Sequence, residues 1–388
     1  MKKKFLNIFL KKRILIPLNI ILFIILAYLL FVFSDIPFIS YWRGIYIETA
    51  MTTADHHWLA TAFIPRYIID DVMDKKTDTS DVIGGGDHLV EISPETEEKP
   101  EDNSHNDDIL GQKELEVGDL DYAGYEVLVN DIKEGLVISE IIGASYRGKI
   151  MLIDDPSRVY LGTTPYKHVE GLRIKAMMAH HGAIAGINAS GFNDPGDSGH
   201  GGDVIGLTCS KGEFWGTAVS YYGSVLITSD DKLVVGNVKD WKNYDIRDGI
   251  QFGPVLIADG EAQIEGSGGY GIQPRTAIGQ REDGVIVFLI IDGRQPAWSL
   301  GCTMGDLIEV LQKYGVVNAA CCDGGSSSVL AYDGEVITKN SSLNPTYGRR
   351  LPNAWLVEPK ETAAEGTEES SDELYRRKNH EACTGARR

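Results

Sequence analysis

Four short stretches of this 388-residue chain carry side chains that could do chemistry. Ile187-Asn188-Ala189-Ser190-Gly191-Phe192 follows the apolar run 183–187, and Gln273-Pro274-Arg275-Thr276-Ala277 precedes another. Ile290-Ile291-Asp292-Gly293-Arg294 closes the run 285–291, and Cys322-Asp323-Gly324-Gly325-Ser326-Ser327 closes the run 316–322. Three of the four share one design: a buried strand ends in Asn or Asp with glycine close behind. A carboxylate at a strand end, beside backbone that a ligand can approach closely, is a common way to build a site. Asp292 and Asp323 follow one another with a single helix between them, so if their strands are neighbours the two carboxylates share a rim. Paired carboxylates suit general acid/base work or a divalent cation. Arg275 and Arg294 add planar donors that can clamp a phosphate in bidentate fashion. The set fits a phosphorylated polar substrate such as a sugar phosphodiester. The plain alternatives are turns for the Asp-Gly pairs and surface ion pairs for the arginines. No Gly-x-Ser-x-Gly nucleophile motif before a helix and no Gly-x4-Gly-Lys-Ser/Thr phosphate loop occurs.

The elements that must hold these residues are mainly short strands. Residues 137–142, 149–153 and 225–228 are β-rich runs bounded by turn residues. Asp259-Gly260, Asp283-Gly284 and Asp333-Gly334 each signal a hairpin. Two helices are expected. Residues 168–181 put Leu172, Ala176 and Ala179 on one face, and residues 303–314 open with a Thr cap and carry Leu307, Ile308, Val310 and Leu311 inward. That second helix stops at Gly315, and the run into Asp323 follows at once. Cys321 and Cys322, adjacent in that run, point to opposite faces as small buried residues. The glycine-rich loop 266–271 just before Arg275 could serve as a lid.

Outside this body the chain changes character. Residues 2–4 and 11–13 are all Lys or Arg, and residues 14–33 carry no charge, long enough to span a bilayer core. The basic flank precedes the span and Asp35 follows it, which puts the N-terminus in the cytoplasm and the body outside. The bulky Phe31-Val32-Phe33 argues against a signal-peptidase site, so the segment reads as an uncleaved signal anchor. Residues 48–72 look helical in part, interrupted by Pro65, and read as a stalk or docking helix. Adjacent His56 and His57 point about 100° apart and cannot chelate as a pair four residues apart would. Residues 75–119 hold 14 acidic residues against 4 lysines, a net −10 of the chain's −19, and read as a flexible linker. The overall negative charge argues against a nucleic-acid binder.

Taken in order, these clusters resemble the phosphodiester glycosidase family. The resemblance spans residues 135–357 and rests on Asn188-Ala-Ser-Gly-Phe192, Gly202-Asp-Val-Ile-Gly-Leu207, Phe252-Gly-Pro-Val-Leu256, Pro274-Arg-Thr-Ala-Ile-Gly279, Asp292-Gly-Arg294, Asp323-Gly-Gly-Ser-Ser327 and Gly348-Arg-Arg-Leu-Pro-Asn-Ala354. It implies hydrolysis of a sugar-1-phosphodiester at the anomeric carbon, with Asp292 and Asp323 catalytic. It implies a substrate pocket of Asn188, Arg275, Thr276, Arg294, Gly324, Gly325, Ser326 and Arg349, the last matching the family's closing arginine better than Arg350. Ala189-Ser190-Gly191 replaces the family's Gly-Gly-Phe, which implies a pocket wall that has lost an aromatic and gained a hydroxyl.

The expected architecture is α+β: a sheet-rich, mixed-sheet single domain with a few packed helices, preceded by one transmembrane helix. The expected boundaries are 1–34 (anchor), 35–74 (juxtamembrane helices), 75–119 (linker), 120–358 (glycosidase-like domain) and 359–388 (polar tail). The expected function is processing of a glycosyl phosphodiester in a cell-surface or exopolysaccharide glycopolymer by a single-pass membrane protein facing outward. No cofactor is firmly implied, although a divalent cation is a candidate. The rival readings are a non-catalytic polysaccharide-binding envelope protein and a metal-dependent phosphodiesterase.

Overall fold

The structure, a computed structural model, describes residues 2–53, 56–75, 87–89, 108–193, 199–238, 240–342, 344 and 346–360. Most of the expected linker and nearly all of the expected tail lie outside these residues.

Three sheets meet around one apolar core. In the largest, the strands lie side by side in the order β13 (Glu261–Ala262), β12 (Val255–Ala258), β16 (Val316–Cys322), β14 (Arg275–Arg281), β15 (Ile286–Ile291), β4 (Arg147–Ile153), β3 (Leu136–Ile142) and β2 (Glu126–Asp131). A second sheet orders β1 (Asp87–Leu89), β10 (Leu233–Gly236), β9 (Gly223–Thr228), β11 (Ile246–Phe252), β7 (Gly206–Ser210) and β8 (Glu213–Thr217). The third orders β18 (Glu335–Val336), β17 (Leu330–Tyr332), β6 (Ala185–Asn188), β19 (Asn353–Val357) and β5 (Val159–Thr163). The sheet-rich α+β architecture is therefore present, and its paired strands run antiparallel.

The apolar runs read in the sequence are strands covered on both faces. Ile286, Phe288 and Ile290 of β15 turn inward with Ile138, Met151 and Ile278, meeting Ile187, Trp355, Val225 and Ile227 from the other two sheets. The alternate residues Val287, Leu289 and Ile291 turn the other way, onto Leu307, Ile308 and Leu311. A strand buried on both faces must be apolar at every position, so no polar alternation survives in the sequence. Cys321 and Cys322 divide between these two layers, as expected of neighbours in a strand.

The three Asp-Gly pairs turn β12 into β13, β14 into β15 and β17 into β18. The helix covering the outer layer, Met304–Lys313, opens with a reciprocal cap between Thr303 and Asp306. The other expected helix is shorter than its pattern: it spans Ile174–His181, while Leu172 bridges to Leu351 instead of starting the helix.

The expected domain start at residue 120 is also corrected. Leu110 is buried among Val137 and Ile150, and the Gln112 amide donates to the Leu136 carbonyl at 3.1 Å, so residues 108–119 belong to the body.

The amino-terminal part is helical: α1 (Lys2–Phe33), α2 (Pro37–Met51), α3 (His57–Thr61) and α4 (Arg66–Asp74); the helices Ile174–His181 and Met304–Lys313 are α5 and α6. Residues Leu15–Phe33 of α1 form a helix long and apolar enough to cross a membrane. Pro65 caps α4, where a proline's fixed φ is tolerated.

Candidate active site

Strand register decides which residues meet. β14 lies between β15 and β16, pairing Arg275 with Ile291 on one side and Thr276 with Cys322 on the other. Asp292 and Asp323 therefore end strands that run in the same direction, two strand spacings apart, about 10 Å. Arg275 begins the strand between them. The side-chain period of two then separates the acids. Arg275 shares its face with Ala277, and Asp323, two residues after Cys321, falls on that same face. Asp292, two residues after Ile290, falls on the opposite one.

Asp323, Arg275 and Arg294 line a cleft of about 840 Å³ together with Gly324, Gly325, Ser326 and Arg349. Among the described lining residues, Asp323 is the one carboxylate. Burial at the cleft floor pushes its pKa up to about 6, against the opposing pull of Ser327, Arg349 and Arg294. The Asp323 N–H donates to the Ala189 carbonyl at 2.9 Å, and its carbonyl accepts from the Asn188 amide at 2.5 Å.

Arg275 is 8 % exposed and has no carboxylate within ion-pair distance among the described residues. One of its terminal nitrogens donates to the carbonyls of Tyr270 and Gly271, both at 3.0 Å, while its buried Nε has no protein partner. Burial lowers its pKa. A guanidinium kept from water without an anion is costly, and an incoming anion relieves that cost. Arg294 donates from Nε and a terminal nitrogen to the Gln273 side-chain oxygen at 3.1 and 2.9 Å. Arg349 lies 4.8 Å over the Phe192 ring and donates to Ser326 Oγ at 3.3 Å. Gly325 has φ +61°, and a Cβ there would stand 3.1 Å from an Arg294 nitrogen, so this turn needs glycine.

Three expected site residues sit behind the cleft rather than in it. Asp292 is 4 % exposed, and both of its oxygens are engaged, one by Trp298 Nε1 at 2.9 Å and one by the Lys339 N–H at 3.0 Å. It braces the turn leading to Arg294 and does not join Asp323. Asn188 is fully buried; its oxygen accepts from Thr276 Oγ1 at 2.9 Å and from the Val329 N–H at 3.1 Å. Asn188 and Thr276 thus tie three strand ends together beneath Asp323. The hydroxyl expected in the cleft wall is also elsewhere: Ser190 is buried, accepting from the Asn353 amide at 2.9 Å. Where the family motif would put an aromatic, Gly191 packs under the ring of Phe252, which lines the cleft from a different strand.

Sequence reasoning missed Tyr222, and Thr52, Thr53 and His56 as parts of the cleft; Phe252, Tyr270 and Gln273 lay in stretches it singled out but were given no site role of their own. Tyr270 and Gln273 flank Arg275 closely enough to have been found. Thr52 and His56 lie more than two hundred residues from Arg275 and Asp323, and no local pattern marks them. Among the described residues, no three His, Cys, Asp or Glu side chains converge to hold a metal.

Residues 181–358, which carry every cleft residue from Gly191 to Arg349, match the family model described as phosphodiester glycosidase. Over these residues the chain is similar to phosphodiester glycosidases. It is 30 % identical over 204 residues to a prophage-derived uncharacterized protein of Bacillus subtilis, YomE, covering 48 % of this chain and 29 % of that protein. This chain thus spans less than a third of that relative's length. Among solved structures, the chain is similar to the catalytic domain of zebrafish N-acetylglucosamine-1-phosphodiester alpha-N-acetylglucosaminidase, described as auto-inhibited by its pro-peptide. That match has 20 % identity, 58 % of this chain, 82 % of that one and a TM-score of 0.48. A hypothetical protein from Synechocystis matches at 16 % identity, 60 % of this chain, 63 % of that one and a TM-score of 0.43.

Proposed function

We propose that this protein is a membrane-anchored glycosidase that hydrolyses a sugar-1-phosphodiester at the anomeric carbon, as part of cell-surface or exopolysaccharide glycopolymer processing. The observation that carries the reading is that one carboxylate, Asp323, and the buried Arg275, which has no carboxylate partner among the described residues, line the same cleft as two further arginines, Arg294 and Arg349. Arg275, Arg294 and Arg349 hold the phosphodiester and stabilise the charge that builds on the departing phosphate. A phosphate so neutralised leaves without a separate acid, which accommodates a cleft whose second expected carboxylate, Asp292, faces elsewhere.

Asp323 then serves the water. It takes a proton as the water oxygen bonds to the anomeric carbon, and the electron pair of the broken C–O bond passes to the phosphate. Tyr222, Tyr270, Phe252 and Phe192 supply flat apolar surface for a sugar ring.

Hydrolysis of a sugar-1-phosphodiester in heavy-oxygen water tests the bond that breaks. The label is expected in the released sugar. Label in the phosphate would replace this reading with P–O cleavage, and sugar binding with no turnover would replace it with an envelope-binding role.

A further inference from the structure

The helices that follow the apolar span do more than connect it to the body. α2 docks end-on against the loop that precedes Arg275. The Gly271 N–H donates to Glu48 Oε2 at 3.2 Å, and the Ile272 N–H donates to Thr49 Oγ1 at 3.0 Å. Thr52 Oγ1 donates to the Tyr270 carbonyl at 3.2 Å. The Gln273 side-chain nitrogen donates to the Thr49 carbonyl at 3.0 Å. The approach is close enough that a Cβ on Gly271, which has φ +60°, would lie 2.4 Å from the Thr49 nitrogen. This glycine is what lets the two backbones meet.

Three of the four loop residues held by α2, Tyr270, Gly271 and Gln273, hold an arginine in turn, and Ile272 lies between them. The carbonyls of Tyr270 and Gly271 take the Arg275 guanidinium, and the Gln273 side-chain oxygen takes Arg294. At its other end, α2 is fixed to the apolar span: Arg43 Nη1 donates to the carbonyls of Phe31, Val32 and Ser34 at 3.2, 3.1 and 2.8 Å, capping the end of α1. Thr52, Thr53 and His56, just beyond α2, form part of the cleft wall.

We propose that the juxtamembrane helix α2 is part of the active site, with Thr49 and Thr52 acting as positioning residues that set Arg275 and Arg294 for the substrate phosphate. This rests on the reading of those arginines as the phosphate-binding groups. The span, α2 and the cleft then form one connected unit, and the anion site is complete only when the juxtamembrane helix is seated.

The test uses the full chain in detergent, with inorganic phosphate as the probe in titration calorimetry and a sugar-1-phosphodiester for kinetics. Thr49→Val and Thr52→Val are each expected to weaken phosphate binding about tenfold, the scale of one lost buried hydrogen bond. The loss should appear as a raised KM with kcat little changed, and Thr49→Ser should restore binding. Tyr46→Phe removes a bond from the Tyr46 hydroxyl to the Leu59 carbonyl within the same helices, away from the loop. It should leave phosphate affinity as in the wild type whatever it does to melting. Unchanged affinity in both threonine variants, or an equal loss in Tyr46→Phe, overturns the positioning role alone. A wild-type protein that binds no phosphate overturns the reading of the arginines, and the proposal with it.

Discussion

A carboxylate under the charges of Arg349 and Arg294 is expected to titrate low, yet burial at the cleft floor outweighs those charges and raises Asp323 to about 6. The sign of the consequence follows. Because the folded-state value lies above the unfolded one, Asp323 favours the fold when protonated, and that contribution is lost as pH rises through about 6. The base role proposed for it needs the ionised form, so activity should fall as pH drops below about 6. Asp323→Asn should lower kcat by on the order of a hundredfold or more. Its melting temperature relative to wild type should rise between pH 4 and pH 8, since the amide never bears the charge. Melting curves and kcat at a series of pH values check both halves. A melting difference that does not grow with pH would show that the arginines, not burial, set this carboxylate.

At this scale the sequence singled out Asp323, Arg275, Arg294 and Arg349, which line one cleft, and expected Asp292 beside them, where it does not lie. Chain order makes 292 and 323 look like neighbours, whereas β14, earlier in the chain, lies between their strands and a period of two turns Asp292 away.

The elements were most legible where one local device sets them. Strand β16 runs from Val316 to Cys322 as its apolar run predicts, and each Asp-Gly pair makes its hairpin. The 168–181 pattern overreached because the spacing of Leu172, Ala176 and Ala179 fits a helix equally well when Leu172 is a loop residue packed beside it. Helix α6 has a different weight from the others, since its end at Lys313 leads within three residues into the strand that delivers Asp323. Its start rests on Thr303, whose hydroxyl accepts from the Asp306 N–H at 3.2 Å. Thr303→Ala should cost about 1 kcal/mol, within the range for a lost helix cap. In a body of this size that corresponds to roughly 2–4 °C in melting temperature. Because the opposite end of α6 and strand β16 keep their packing, KM and kcat should stay close to wild type. A large loss of activity at unchanged stability would mean that α6 moves Asp323 rather than merely supporting it.

Over the whole molecule, the union of three sheets on one core was beyond reach of the sequence. Nothing local marks which apolar strands share a sheet, or that Ile187, Ile227 and Phe288 meet. The docking of the amino-terminal helices onto the loop before Arg275 was equally hidden, since it joins positions some 220 residues apart. The apolar span itself was plain: residues 15–33 have a mean hydropathy of 2.8 and are almost wholly exposed on the helix. An exposed apolar cylinder of 19 residues, about 28 Å at 1.5 Å per residue, matches a bilayer core and is poorly accommodated in water. Basic residues 2–4 and 11–13 precede it and Asp35 follows, so the short flank should remain in the cytoplasm and the body should face outward. The protein is expected to sediment with membranes and to resist extraction by high salt and by alkaline carbonate. External protease on intact cells should digest the body while leaving a small amino-terminal fragment protected. Mass spectrometry should find the mature amino terminus upstream of residue 14. A new terminus between residues 34 and 45, with the body released into the medium, would make the span a cleaved signal. It would also separate the anchor from α2, so this one measurement decides whether the cleft works at the membrane surface or away from it.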